Sequence, residues 1–428
     1  MQVSPVPIAL IHSAWQNAQS YSQYALQRPD DIQLVALAMA PGMSRTVLAE
    51  RHAIPPKRQF DDWQAFLDTP PLAEIVMIGP ETPQKFEVIM HCLQSGYHVL
   101  LESPLHLSIA ETQHLIYLAQ EVRQTIFIDQ WLMYTAFYRS VRDLLHSGRL
   151  GRILHVHHEH HLTPWQTSHR FIRAPYQPKH KADILLHDGV NDLALLLWLL
   201  QGSPAHISAV GTDRAFAVDD APRGDVPERC TDDCPIESEC AFSTLGIYLE
   251  RRLPTVPDAG WPHTDLLAPN LVDTPPNIVT ILESALWGKC VYHQARLLTT
   301  HTTVNAALDS GAQLSLLLDG HAEQNRRFTR VVGEYGTLRA EFNGPHSQII
   351  FLNHATGQEN AINMRLAPAS EAHISGLLGY IIKAVSAGPS PSALMHQDMM
   401  AYWVGQAAVQ ASEAHHVVDF DAFLAREL

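Results

Sequence analysis

The stretch AEIVMIGPETPQKFEVIMHCLQSGYHVLLESPL, Ala73 to Leu105, decides the fold. It opens with a continuous apolar run, passes through polar turn residues into a segment whose apolar positions recur at helical spacing, and closes on a second apolar run. Two buried strands joined by a helix form one βαβ unit, which belongs to a parallel sheet. The same rhythm continues on both sides. PIALIHSA (Pro7 to Ala14), IQLVALAMA (Ile32 to Ala40) and TIFIDQWL (Thr125 to Leu132) read as further strands. NAQSYSQYALQ, SRTVLAERHA and SIAETQHLIYLAQEVR read as the helices between them. Residues 1–130 therefore predict a doubly wound, dinucleotide-binding type of sheet.

Beyond residue 130 the rhythm changes. AFYRSVRDLLHSGRLG is a helix stopped by glycine, and RILHVHHEHHL (Arg152 to Leu162) is a long strand. LLHDGVNDLALLLWLLQG (Leu185 to Gly202) is a helix with Asp188 as candidate N-cap. A polar, Pro-rich, acidic insertion follows, about 213–276, and then runs such as TTVNAALDSGAQLSLLLDGHA and RRFTRVVGEYGTLRAEF that form an antiparallel meander. Two helices, about 375–387 and 392–415, are expected to close a second domain spanning 131–428. The fold class is α/β: an N-terminal Rossmann-type sheet followed by an α/β domain with a large open mixed, mostly antiparallel sheet.

Composition limits function. The 428 residues suit two domains, and 46% hydrophobic with 17% charged is globular. A formal charge of -15 excludes sequence-independent nucleic-acid binding and adhesion to anionic membrane. The longest apolar run, LALLLWLL (Leu193 to Leu200), is far short of the roughly 20 residues of a bilayer span. The N-terminus lacks a basic n-region and cleavage site, so it reads as a first strand, and a cytoplasmic, reducing location is expected. Five cysteines, an odd number, fit free thiols or a metal site better than a disulfide framework. Cys92, on an apolar helix, reads as core.

Order and extent of these elements resemble the glucose-fructose oxidoreductase / inositol dehydrogenase (Gfo/Idh/MocA) family. The likeness is clearest over the stretch that opens this section and its following helix. It extends to a branch with a cysteine-bearing insertion, here ERCTDDCPIESECAFSTLGIYL followed by WGKCVYH, and to SHRFIRAPY, matched at His169, Phe171 and Arg173. The resemblance implies NAD(P) as cofactor, a sugar-like substrate and an oligomer. It also assigns roles by position, and here the sequence departs from the family.

At the glycine-rich cofactor turn, IHSAWQN places His12, Ala14 and Asn17 where the family has glycines that allow the tight turn and the approach of the pyrophosphate. Met39 stands where an acid would bind the ribose hydroxyls. Glu102, which the resemblance assigns to the cofactor side, and Pro104 keep the family's Glu-Lys-Pro frame, but Ser103 replaces the lysine that stabilises the developing alkoxide. In HDGVNDLA, Gly189 is in register, His187 stands at the first acid, Asn191 at the histidine general base and Ala194 at the last acid. Ser103 is neutral and Asn191 does not titrate, so the usual acid-base pair is absent. His187, four residues before Asn191, is a candidate substitute base if both lie on one helix face, as is His169; the alternative for His187 is an ordinary polar residue at a helix start.

Two clusters invite metal. On the strand HVHHEHH, His155, His157, Glu159 and His161 share one face, while His158 and His160 share the other. That set suits either a metal grip or a surface facing water. Cys230, Cys234 and Cys240 follow C-x3-C-x5-C, and Cys290 lies far beyond; four thiolates would close a structural zinc, against four buried thiols or a redox pair.

Two functions are carried forward. In one the chain is a pseudo-oxidoreductase that has lost hydride transfer, with NAD(P) bound weakly or not at all, and acts by binding a sugar-like ligand or a protein partner, as a homo-oligomer or beside an active paralogue. In the other it is a divergent active oxidoreductase or lyase on a sugar, cyclitol or related polyol, with the cofactor held through a helix N-terminus and backbone amides.

Overall fold

A computed structural model of the chain describes residues 5–12, 15–80, 82–173, 181–222, 225–250, 262–267, 273–294, 296–365, 369–388 and 392–427. The chain forms two compact units, one of residues 1–136, 369–403 and 422–428, the other of 137–368 and 404–421.

The first unit holds six strands: β1 (Val6–Ile11), β2 (Ile32–Ala38), β3 (Gln59–Phe60), β4 (Ile75–Ile78), β5 (His98–Leu101) and β6 (Ile126–Ile128). All pair in parallel, in the order β3-β2-β1-β4-β5-β6, the order of a dinucleotide-binding sheet. The five anticipated strands are present, each ending a few residues earlier than its apolar run, because the polar turn begins once the helix cap is needed. The short β3 escaped notice. Near-total burial of β4 and β5 explains why they read as unbroken apolar runs. The helix Ile109–Glu121 begins with a capping box in which Ser108 and Glu111 satisfy each other's backbone N–H groups.

The helix Ala369–Ala387 belongs to this first unit. Its Ile374, Leu377, Leu378 and Ile381 join Tyr21, Tyr24, Leu34 and Phe127 in one core, and Trp403 Nε1 donates to Thr112 Oγ1 at 2.9 Å. A division at residue 130 with everything later in a second domain misses this return. The chain also does not end in two helices: β16 (Val418–Asp419) and the helix Phe420–Glu427 follow.

The second unit is a ten-stranded sheet. Its main path runs β15 (Glu359–Met364), β14 (Ser347–Asn353), β13 (Gly336–Phe342), β12 (Arg326–Gly333), β7 (Ile153–His161), β11 (Gln313–Asp319), β10 (Arg296–Leu308), β9 (Pro204–Phe216), β16, with β8 (Lys181–Asp183) on β10. Only β7 with β11 and β8 with β10 are parallel, so the sheet is mixed and mostly antiparallel. The acidic insertion begins later than its composition indicates, since Asp213 to Phe216 still pair with β10. The helix Pro275–Ser284 already covers its anticipated end. Among the described residues no helix is long and apolar enough to cross a membrane.

Candidate functional site

The segment after β1 lacks glycines at the positions the family uses. His12 donates its N–H to the Ala38 carbonyl at 3.1 Å and sits at φ 45°, a left-handed conformation that a side chain tolerates at a cost. Its imidazole pKa is lowered by burial, partly opposed by Asp62. Ala14 lies outside the described residues. Asn17, in the first turn of the helix Trp15–Gln27, donates from Nδ2 to Glu102 Oε2 at 2.9 Å, and Glu102 is fully buried. Two positions assigned to the cofactor thus bind each other. At the end of β2, Met39 is buried, and its carbonyl accepts from Arg45 Nη1 at 3.1 Å. No acid stands there for a ribose. The described residues therefore supply the parallel sheet, with His12 and Asn17 at glycine positions and Met39 at the ribose position.

Around Ser103 the structure shows a residue that sequence reading missed. Lys85 is buried at the start of the helix Lys85–Gln94, and its Nζ donates to the carbonyls of Glu102 at 3.2 Å and Pro104 at 3.1 Å. A lysine at a helix N-terminus opposes the helix dipole, so the loop carbonyls account for its place there. The family's frame retains a cation beside it, from another element.

In the second unit, Leu185–Gly189 forms a π-turn closed by the Val190 N–H to Leu185 carbonyl bond, and the α-helix Val190–Leu200 continues from it. Such wide turns recur at functional sites. Asp188 is therefore not an N-cap. Its carboxylate is buried, accepts from Arg170, and meets His187 Nδ1 at 3.0 Å. Burial would raise the Asp188 pKa, but Arg170 and His187 hold it well below the carboxylate range. His187 stays half-buried, edge-on to Phe171 at 5.0 Å. The wide turn also means that four residues from His187 to Asn191 do not make one α-turn. Asn191 is buried with Oδ1 unpaired among the described groups. A methyl at Gly189 would lie 2.5 Å from Leu318 Cδ1 and 3.0 Å from Leu185 Cδ1, so those side chains would have to shift. His169 is no exposed base: it is buried, bonded through Nδ1 to Tyr248 Oη at 2.8 Å and stacked on Trp287 at 4.7 Å.

The histidine strand divides as its alternation predicts. On the partly open face, Glu159 is held by His157 Nε2 at 3.0 Å and His161 Nε2 at 2.9 Å. On the buried face, Asp192 accepts from His158 Nε2 at 3.1 Å, His160 Nδ1 at 2.7 Å and Arg327 Nε at 2.6 Å. Burial would raise the Asp192 pKa, yet Arg327 and the imidazoles hold it well below the usual range. This network, unforeseen from the sequence, fixes the helix that carries Asn191 onto β7 and β12.

Among the described residues, no three or more His, Cys, Asp or Glu side chains stand closed around a metal position. The metal grip weighed for His155, His157, Glu159 and His161 is not found; Glu159 binds its two neighbours instead. Cys230, Cys234, Cys240 and Cys290 are free thiols that nevertheless line one cavity.

Comparison with known proteins places these observations. An oxidoreductase family model with an NAD-binding Rossmann fold matches residues 13–130, and the GFO/IDH/MocA C-terminal domain matches 138–224. The trans-1,2-dihydrobenzene-1,2-diol dehydrogenase of Xenopus tropicalis is 26% identical over 129 residues, 30% of this chain and 38% of that one. The 1,5-anhydro-D-fructose reductase of Ensifer adhaerens is 25% identical over 142 residues, 33% and 41% of the two chains. The match thus spans about two fifths of these relatives' length. A crystal structure of an oxidoreductase from Agrobacterium radiobacter, in complex with NAD+, L-tartaric acid and magnesium, superposes with a TM-score of 0.67 at 10% identity, covering 98% of this chain and 100% of that one. Sheet order, the second mixed sheet and both domain matches agree, and the chain belongs to the GFO/IDH/MocA oxidoreductase family.

Proposed function

We propose that this chain uses the oxidoreductase fold for recognition and has lost NAD(P)-dependent hydride transfer. It binds a sugar-like ligand or a protein partner in the cytoplasm, as an oligomer or beside an active paralogous subunit. The observation that carries this reading is the Asn17 to Glu102 bond at 2.9 Å. It places a side chain at a family glycine position and ties it to the glutamate of the Glu-x-Pro frame, so the protein itself occupies part of the turn that a cofactor would approach. His12 at a glycine position, Met39 in place of an acid, Ser103 in place of lysine and the non-titrating Asn191 point the same way. Five free thiols suit a reducing compartment. Fluorescence titration of the full chain with NADH and NADPH tests the reading. No saturable binding is expected at micromolar concentration, and a micromolar dissociation constant for either would refute the loss of cofactor.

A second reading is favoured by one pair of residues. His187, half-open and oriented by Asp188, has the arrangement of a general base steadied by a carboxylate. With His187 as that base, the chain would be a divergent oxidoreductase or lyase on a sugar, cyclitol or related polyol. Single-turnover reduction of bound NAD(P) by a polyol panel, abolished in His187→Ala, would establish it. Absence of turnover across the panel with either nucleotide, and of eliminated product, would remove it.

A further inference from the structure

The four cysteines of the second unit lie on two segments, Cys230, Cys234 and Cys240 within 225–250 and Cys290 just after the 3-10 turn Leu286–Gly288. Backbone bonds join the segments in both directions. Cys230 donates its N–H to the Gly288 carbonyl at 3.2 Å, and Cys290 donates to the Glu228 carbonyl at 2.8 Å. Arg229 secures the bridge by donating to the carbonyls of Leu282, Ser284 and Ala285. Four thiols thereby meet at one cavity of about 10 Å³. A space of that size admits one water or one ion, whereas organic ligands take pockets of several hundred Å³.

A second observation concerns the sulfur atoms. The N–H of Ile236 donates to Cys234 sulfur, that of Phe242 to Cys240, and those of Tyr292 and His293 to Cys290. In each case a donor is the residue two beyond the cysteine. Hydrogen bonds of this kind favour the thiolate over the thiol. Arg173, which lines the same cavity, adds positive charge facing Cys240 and Cys290. Burial still pushes the Cys234, Cys240 and Cys290 thiols up, Cys290 to about 11. Cys92 in the first unit provides the contrast: burial pushes its thiol up.

We propose that Cys230, Cys234, Cys240 and Cys290 form a structural site for one thiophilic divalent metal ion of the zinc type, tying 225–250 to 286–294. Each sulfur gives up its proton to solvent as it binds, so one M²⁺ and four thiols yield a tetrathiolate complex of net charge -2 and four protons, without redox change. Arg173 offsets part of the resulting negative charge. The site orders a segment whose own apolar content is low.

The test uses the full chain, purified under reductant, stripped with a chelator and titrated with Zn²⁺ or Co²⁺. The expected result is about one ion bound per chain, cobalt-thiolate absorption of tetrahedral type, proton release on binding and a raised melting temperature. Cys290→Ser should weaken binding by more than the roughly 10–100-fold that loss of an outer partner costs, while Cys92→Ala keeps the cobalt spectrum. Should Cys290→Ser fail to fold, the metal titration of the native chain decides. No uptake by the reduced native chain, a disulfide among these cysteines as the stable state under reductant, or binding unchanged by Cys290→Ser would each overturn the proposal.

Discussion

The two units treat their buried polar groups differently. In the first, Asn17 at a family glycine position binds Glu102, and Lys85 binds the carbonyls around Ser103. In the second, charge is concentrated where a helix meets the sheet, at Asp192, Arg327, His158 and His160, while His187 is left half-open beside Asp188. The sheets persist in both units because strand burial and pairing do not depend on the site. The sheets therefore say little about the chemistry of the site they carry.

The largest effect expected from this contrast is at Asp192. Asp192→Asn leaves the Arg327 guanidinium buried without its counter-charge and should destabilise the chain by about 3–5 kcal/mol, measured by urea unfolding. An Arg327→Met change on top should restore part of the loss, since the pair is coupled. An effect under about 1 kcal/mol would mean that water reaches this network.

Acidification probes the same network. Asp188 and Asp192 lie below their ordinary values, so their stabilisation is complete above about pH 4 and is lost as pH falls through their folded values. His160 is kept neutral by burial and by Arg327. Unfolded imidazole gains a proton near pH 6.5, roughly, so stability also falls below that pH. Both contributions act in one direction. Denaturation midpoints from pH 8 to pH 3 should fall, with a shallower slope below about pH 4 in Asp192→Asn.

Smaller effects are expected in the first unit. Lys85→Met removes charged hydrogen bonds to two carbonyls and should cost about 1.5–3 kcal/mol. Asn17→Ala, which leaves Glu102 buried without this donor, should cost about 1–3 kcal/mol. His12→Gly should be neutral or stabilising by up to about 1 kcal/mol, because glycine takes the positive φ without strain although it loosens the unfolded chain. If the double variant His12→Gly, Asn17→Gly gained nucleotide binding, the loss would be traced to these two side chains.

Much of this was legible in the sequence because it is local. Parallel strands showed as apolar runs, and the alternation in HVHHEHH separated His158 and His160 from Glu159. The partners were not legible. Arg327 lies 135 residues from Asp192, and nothing in either neighbourhood announces the pairing. Asp188 had the look of a helix cap because periodicity does not reveal that the first turn is a π-turn. Lys85 was hidden by its position at the start of an ordinary amphipathic helix, where only the β5 loop folding back gives its ammonium a role. The return of 369–387 to the first core is likewise a long-range event.

The central claim is that this member of the family no longer holds NAD(P) for hydride transfer. Equilibrium titration of the full native chain with NADPH and NADH, followed by nicotinamide fluorescence, tests it most directly. The account predicts no saturable signal at micromolar concentration for either nucleotide. Saturable micromolar binding, followed by hydride transfer to or from any polyol or sugar, would contradict it.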